Sequence, residues 1–510
     1  MSTRRAFLRS AGVAGAAFAL LRSAPRSLAA ASPSFLTSTD PSTEVTFMSA
    51  VRLAQLIREK KLSAVEATKA YLDRIEKVNG ALNAVVTLCA ERALEEARAA
   101  DSALASGRLF GALHGVPFTI KDSLETAGVV STAGTLGRES YVPGVDATVV
   151  ARLRAAGAIL IGKSNTPEFT LGGGGRGTYN LVFGQTYNPY NTKHSPAGSS
   201  GGAGAIVAAG GSAFDIGSDF GGSIRGPAHA NGIAGIKPTT GRVPRTGHLP
   251  GYGGPFDAYQ ELGPMARRVE DLIAIMDLIS GPDFEDPVAA PVPLGRAADV
   301  DLKKLRVAYY TDNKVAKPTA ETIAAVRFAV RAITPAVASV TEDFHDGDAE
   351  GGPIRSAYVG ADGGAWFQRM LDASGTKQAS PGLARRITGK VLPAPEFTLL
   401  AEKQDAVRSR LLSWFSNYDV IVCPVSATPA DLLDESTPPA TPAGGGGGGS
   451  SFNSIYNLTG WPSVVVRAGT APDGLPIGIQ VVAHPWRDDV ALAVAQAIEA
   501  STGGWKRPAI

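Results

Sequence analysis

The sequence predicts an α/β protein of enzyme size, and three observations carry that prediction. The chain has 510 residues, 44% of them hydrophobic and 19% charged, which suits a globular protein with a large core. Amphipathic helical stripes alternate along it with short apolar runs that read as buried strands. Between them, Ser195–Arg245 holds two serine–glycine clusters, Gly198-Ser199-Ser200-Gly201-Gly202 and Gly221-Gly222-Ser223. Glycine this dense is costly in a plain helix or strand, and is tolerated where the backbone turns sharply or approaches something closely. Two hydroxyls, each beside bare N–H groups, are what acyl transfer uses: a nucleophile and an oxyanion hole.

The chain opens on Ser2-Thr3-Arg4-Arg5-Ala6-Phe7-Leu8-Arg9, a twin-arginine motif. The apolar stretch Ala11–Leu21 and the A-x-A site Ala29-Ala30-Ala31 follow. Eleven apolar residues fall short of the roughly 20 that span a bilayer, so no stable membrane anchor is expected. Residues 1–31 therefore read as a signal for the twin-arginine export machinery, and the mature protein is expected in the periplasm or outside the cell. Those residues carry five arginines and no acid, so their removal turns the formal charge from +2 to −3. Neither value calls for a nucleic-acid partner. Export favours disulfides, but Cys89 and Cys423 each lie in an apolar run. They read as buried free thiols, and they lack metal-ligand spacing.

Residues 32–510 are expected to form a single domain. After an extended lead-in, Ser63-Ala64-Val65-Glu66 is a capping box. The stripe Val65, Leu72, Ile75 and Val78 predicts a helix ending at Asn79-Gly80. Leu82–Leu88 reads as a strand, Ala90–Ala105 as an amphipathic helix, and Gly115–Ile120 as a short strand that places Lys121 at its end. A helix over 147–157 and a strand at Ile159–Ile161 come next. Val269–Leu278 and Thr319–Val337 read as helices, Leu305–Tyr310 and Tyr418–Val422 as strands, and 281–303 as a proline-rich surface connection. Residues 350–410 are expected to be mostly helical. Residues 435–451 hold Pro438-Pro439 and Gly444–Gly449, the composition of a linker. The stretch beyond them, Phe452–Ala500, is short for an independent domain, so 435–451 reads as a flexible loop within one fold.

Three motif matches lead elsewhere, and their contexts exclude them. Gly157–Ser164 fits a phosphate-binding loop, but its intervening residues form the strand itself and no helix opens at Lys163. Gly172–Gly177 fits a dinucleotide fingerprint by glycine density alone, without a preceding strand. Gly198–Gly202 fits an α/β-hydrolase elbow with Ser200 as nucleophile and His484 as its late histidine. That elbow needs a buried strand before it, where Asn188–Pro196 is no strand.

A serine hydroxyl needs a base. None of the six histidines has a compelling carboxylate arrangement in sequence. A lysine serves if burial keeps it neutral, and Lys121 is the candidate. On the residues alone it also reads as an ordinary ion pair with Asp122.

The central stretch resembles the signature of the amidase signature family of serine hydrolases. The resemblance rests on Gly198–Gly202, on Gly217-Ser218-Asp219-Phe220-Gly221-Gly222-Ser223-Ile224-Arg225, and on Gly232–Thr239. Upstream, Gly115-Val116-Pro117-Phe118-Thr119-Ile120-Lys121-Asp122 matches the family's lysine context. Nearly the whole mature chain fits, as far as Gly474–Gln480. The resemblance implies a large mixed β-sheet flanked by α-helices on both faces. It implies Lys121 as base, Ser199 as proton relay after a cis Gly198–Ser199 bond, and Ser223 as nucleophile. Backbone N–H groups of Phe220, Gly221, Gly222 and Ser223 would form the oxyanion hole. Ser200 would orient the site by hydrogen bonding, and Asp219 and Arg225 would hold the glycine loop, though an ordinary ion pair accounts for these two as well. No metal or organic cofactor is implied. The expected partner is a small-molecule amide, ester or carbamate. Ala197, Ala203 and Phe220 depart from the commonest family pattern, and the implied catalytic groups survive all three. Amidotransferase subunits acting with a transfer-RNA partner belong to the same family, and the export signal argues against that role. A non-catalytic binding protein is disfavoured because Lys121, Ser199 and Ser223 are all present. Trp366 and Phe367 are expected to help select the substrate.

Overall fold

The computed structural model describes residues 37–171, 177–251, 253–254, 259–433 and 452–510. The expected export signal, most of the glycine run from Gly172 and the Pro/Gly segment 435–451 lie outside the described residues.

The N-terminal helices form where the caps predict. Ser63 Oγ accepts from Glu66 N (3.0 Å) and Glu66 Oε2 accepts from Ser63 N (2.8 Å), which is the expected capping box. The helix Ala64–Leu82 runs past Asn79-Gly80 and stops at Asn83 in the left-handed conformation. Asn79 does not break the helix. Its Oδ1 accepts from Ala84 N (2.9 Å) and Val85 N (2.8 Å), which fixes the exit into the strand β1, Val85–Leu88. The strand therefore starts later than expected, because Leu82 still belongs to the helix. The helix Ala90–Ala105 has the expected bounds. The strands β2 (Pro117–Lys121) and β3 (Ile159–Ser164) come next, the latter after the helix Thr148–Ala155. These strands form a small sheet in the order β1-β3-β2. β3 continues through Lys163 and Ser164 as strand, so the phosphate-loop geometry is absent there.

A two-residue pair, β4 (Tyr179–Asn180) and β5 (Gly184–Gln185), precedes the large sheet. That sheet contains β6 (Phe214–Asp219), β7 (Ala234–Lys237), β8 (Glu261–Ala266), β9 (Arg306–Tyr309), β10 (Ser339–Glu342), β11 (Val420–Pro424), β12 (Ser463–Thr470) and β13 (Pro476–Ala483). Its order is β10-β9-β11-β13-β12-β7-β8-β6. β10, β9 and β11 run parallel, and each later pair is antiparallel, so the sheet is mixed. Strands from both sides of segment 434–451 interleave: β13 lies between β11 and β12.

Successive strand residues point to opposite faces. Every position of β6, β7, β8, β11 and β13 is buried, so both faces of the sheet are covered. Helices Val269–Ile279, Ala320–Ile333 and Asp488–Thr502 supply part of that cover, and Gly201–Ala208 with Arg225–Ala230 supply more. Burial of each large aliphatic side chain in such a core is worth roughly 1.5–3 kcal/mol. The region 350–410 is helical in pieces, Asp348–Val359, Ala365–Ala373, Pro381–Ala384 and Ala394–Phe415. Among the described residues no helix is long and apolar enough to cross a membrane. Cys423 is a buried free thiol, as expected; Cys89 is free but only half-buried, since it precedes the helix at the rim of β1.

Candidate active site

The small sheet packs its β2 strand against β6, and this brings two strand ends to one place. β2 ends in Lys121 and β6 ends in Asp219. Phe220–Ser223 then turns into the helix Arg225–Ala230. Ser199 and Ser200 sit just before the helix Gly201–Ala208, and the Gly198–Ser199 peptide is cis. Gly217 explains one glycine of the signature. A Cβ there would stand 2.8 Å from Ser200 Oγ, so the strand must lack a side chain for Ser200 to approach.

Lys121 is wholly buried. Its Nζ donates to Ser199 Oγ (2.6 Å), Ser200 Oγ (2.9 Å) and Ser218 Oγ (2.9 Å). All three partners are hydroxyls. Burial pulls the lysine down from 10.5 to about 7, while Asp215 and Asp219 act the other way. The ion pair with Asp122 does not form. Asp122 instead accepts from Thr132 N (3.1 Å) and from Thr132 Oγ1, which ties down the loop after β2.

Asp215, on β6, accepts from Thr119 Oγ1 (2.6 Å), and burial pushes its carboxyl up to about 7. Asp219 behaves oppositely. Burial raises it too, but Arg225, joined by Asn457 and Lys237, outweighs burial and holds its carboxyl well below the usual range. The pair is fully buried, with Arg225 Nη2 3.0 Å from Asp219 Oδ1. The same carboxylate accepts from Gly222 N (2.8 Å), Ile224 N (3.1 Å) and Arg225 N (3.3 Å). Asp219 is thus the anchor of the turn that carries Ser223.

This anchoring corrects one expectation. The Gly222 N–H, one of four expected oxyanion donors, points at Asp219 Oδ1 and is spent there. Gly222 adopts φ +114° to do so, a region open mainly to glycine. Gly221 N and Ser223 N donate to no described residue. Ser223 is half-exposed at the turn, joined to the lysine cluster through its carbonyl, which accepts from Ser200 N (3.1 Å). Ser223 Oγ has no partner among the described residues. The open hydroxyl therefore comes from the second serine–glycine cluster, while the buried amine comes from the end of β2 and bonds the serines of the first.

The elbow reading fails on geometry. No strand precedes Ser200, which is fully buried against Lys121. His484 gives its Nε2 to Tyr418 O (2.9 Å) and stacks on Phe415. His248 is the histidine that feels Lys121. Burial and that lysine hold it down to about 3, and its ring is bonded to Ser123 Oγ and Pro250 O.

The Amidase family model matches residues 66–492. The chain belongs to the amidase signature family. It is a hydrolase of carbon–nitrogen bonds other than peptide bonds. It is 35% identical over 485 residues to the glutamyl-tRNA(Gln) amidotransferase subunit of Moorella thermoacetica, covering 90% of this chain and 97% of that protein. It is 34% identical over 474 residues to indoleacetamide hydrolase of Bradyrhizobium diazoefficiens, covering 89% and 86%. Among solved structures, 6-aminohexanoate cyclic dimer hydrolase superposes with a TM-score of 0.79 at 26% identity, covering 91% and 99%. A bacterial aryl acylamidase does so with 0.79 at 25%, covering 90% and 97%.

Several residues of this amidase site escape a sequence reading. Ser218 lies inside the quoted signature, and its place one residue before Asp219 is the only hint. Asn457 gives Nδ2 to Asp219 Oδ1 (2.9 Å), and its Oδ1 accepts from Arg225 Nη2 (2.5 Å). It comes from far along the chain with no local signal. Phe367, expected near the substrate, is a core residue at 1% exposure. Trp366 beside it faces Gly254.

Proposed function

We propose that this amidase hydrolyses a small-molecule amide through an acyl-enzyme on Ser223. The observation that carries the reading is the buried Lys121 amine, bonded to three hydroxyls and held at about 7. A lysine in that state is half neutral near pH 7 and can take a proton. Ser199, at 2.6 Å, is the nearest hydroxyl to pass it.

In the proposed cycle, Ser199 gives its proton to Lys121 and takes the proton of Ser223. Ser223 Oγ bonds to the amide carbon, and the carbonyl π electrons move onto oxygen. The oxyanion rests on N–H groups of the Phe220–Ser223 turn, where one direct donor is worth ~3 kcal/mol. Lys121 then returns the proton through Ser199 to the nitrogen, the carbon–nitrogen bond breaks, and the amine leaves. Water repeats the relay on the ester and releases the acid.

Phe220, Tyr259, Tyr358 and Phe397 follow one another ring to ring from the Ser223 turn, with centroids 6.2, 5.7 and 5.1 Å apart. Together with the indoleacetamide and aryl-acylamide activities of named relatives, this supports an amide with an aromatic or apolar group. Carbamates and esters present the same carbonyl to the same relay. The identity to an amidotransferase subunit supports a second reading, in which glutamine is the amide. The twin-arginine motif supports export to the periplasm or beyond.

A serine-reactive fluorophosphonate followed by peptide mapping tests the mechanism. Label on Ser223, lost in Lys121→Ala, is expected. Label on Ser200 would refute it. A panel of aryl amides, carbamates, esters and glutamine then sorts the substrates, and turnover of glutamine alone would favour the second reading.

A further inference from the structure

Arg355 lies in the helix Asp348–Val359, outside every motif of the signature. Its Nη1 donates to the Phe220 carbonyl (3.0 Å) and its Nη2 to Ser454 Oγ (3.3 Å). The guanidinium carbon stands 4.8 Å from the centroid of the Phe220 ring. Its Nη2 is 3.0 Å from the place a side chain on Gly221 would begin, so glycine there makes room for it. The two hydrogen bonds go to a carbonyl and a hydroxyl, not to a carboxylate. The cation therefore ties the turn that carries the proposed nucleophile to the helix Ser454–Leu458. Burial and the nearby Arg386 pull Arg355 down to about 10, which leaves it charged at neutral pH.

The Phe220 carbonyl and the Gly221 N–H belong to one planar peptide unit. That peptide is trans, so its oxygen and its hydrogen point to opposite sides. A donor that fixes the oxygen fixes the direction of the N–H. A cationic donor does more, because it draws electron density through the amide and strengthens the N–H as a donor. The Gly222 N–H is already spent on Asp219, which raises the demand on Gly221. We infer that Arg355 is a positioning residue, which holds and polarises the Phe220–Gly221 peptide so that the Gly221 N–H meets the oxyanion formed at Ser223. The inference rests on the proposed function above.

A clamp that merely kept the helix on the turn would change folding or binding, whereas this role acts on the bond-making step. Fluorophosphonate labelling separates them, since its phosphoryl oxygen occupies the oxyanion position as Ser223 attacks. The inactivation rate kinact and the binding constant KI are measured for wild type, Arg355→Gln and Arg355→Lys, with melting temperatures alongside. Arg355→Gln is expected to lower kinact about tenfold, below the 10²–10³ of a lost direct donor, with KI within about twofold. Arg355→Lys is expected to recover part of the loss, because an ammonium can donate to the same carbonyl. If Arg355→Gln does not fold, Arg355→Lys carries the test with an expected loss of about threefold. Unchanged kinact, or a loss confined to KI, overturns the inference while leaving Ser223 as nucleophile. Absence of label on wild-type Ser223 overturns the proposed function, and the inference with it.

Discussion

Lowering the pH should switch this amidase off along a limb centred near 7, set by Lys121. The drop from 10.5 to about 7 amounts to roughly 5 kcal/mol against the ammonium form. Its first cause is burial; the carboxylates of Asp215 and Asp219 oppose it. At pH 6 about one lysine in ten is then neutral, and at pH 8 about nine in ten, so the rate should climb about tenfold between them and level off above. A lysine at its ordinary value would be neutral in fewer than about one molecule in a thousand at pH 7. The assay is the second-order rate of fluorophosphonate labelling of Ser223 from about pH 5.5 to 9.5, which reports the free enzyme. Asp215→Asn sharpens the test. The Asp215 carboxyl, pushed up to about 7, is ionised only over the upper half of this limb and there favours the ammonium. Its removal should therefore let Lys121 lose its proton more readily and move the limb to lower pH, by less than a fully ionised neighbour would. The other charged groups nearby leave this sign intact: Asp219 is paired with Arg225, Asp122 is tied to Thr132, and His248 is neutral above about 3. A flat profile, a limb near 10, or a shift of the Asp215→Asn limb to higher pH would refute the reasoning.

Gly222→Ala should cut the labelling rate by at least about tenfold and lower the melting temperature. Its φ of +114° and the 2.8 Å approach of Asn453 Nδ2 to a new Cβ put a strain of order 1–3 kcal/mol into the turn that presents Ser223. Wild-type rate and melting temperature in that variant would count against the Asp219 anchor. Expression of the full chain in a bacterium with a twin-arginine pathway should yield a periplasmic protein lacking about the first 31 residues. Arg4→Lys with Arg5→Lys should leave the precursor in the cytoplasm; an uncleaved wild-type protein there would end the export proposal.

How much could be read in the sequence depends on how local each feature is. The capping box at Ser63 and the helix Ala90–Ala105 depend on residues a few positions apart, and both appear where the spacing put them. Lys121 at a strand end and the two serine clusters are legible for the same reason. The strands β6, β7, β8, β12 and β13 are another matter. They are buried on both faces, so they lack the alternation that marks a half-buried strand, and glycines at 217, 235, 263 and 478 dilute their apolar character. Asn79-Gly80 reads as a stop because asparagine and glycine often end helices, whereas Asn79 here reaches forward to cap the next strand.

The site itself divides the same way. Its reacting groups are written in contiguous motifs, but the forces that make them reactive come from elsewhere. Nothing adjacent in sequence to Lys121 makes it a base; the adjacent carboxylate, Asp122, turns away to Thr132. What depresses the lysine is its burial at the end of β2, where the small sheet packs on β6, with three hydroxyls and no carboxylate among its hydrogen-bond partners. Likewise, Asp219 is held ionised by Arg225 and by Asn457, which comes from the helix Ser454–Leu458. Substituting Asn457 would leave every signature residue in place, yet it would strip two bonds from the buried pair that fixes Gly222. A motif match therefore identifies the groups that exchange the proton, while the long-range packing of β2 on β6 and of residues after 452 on the Ser223 turn determines whether they can.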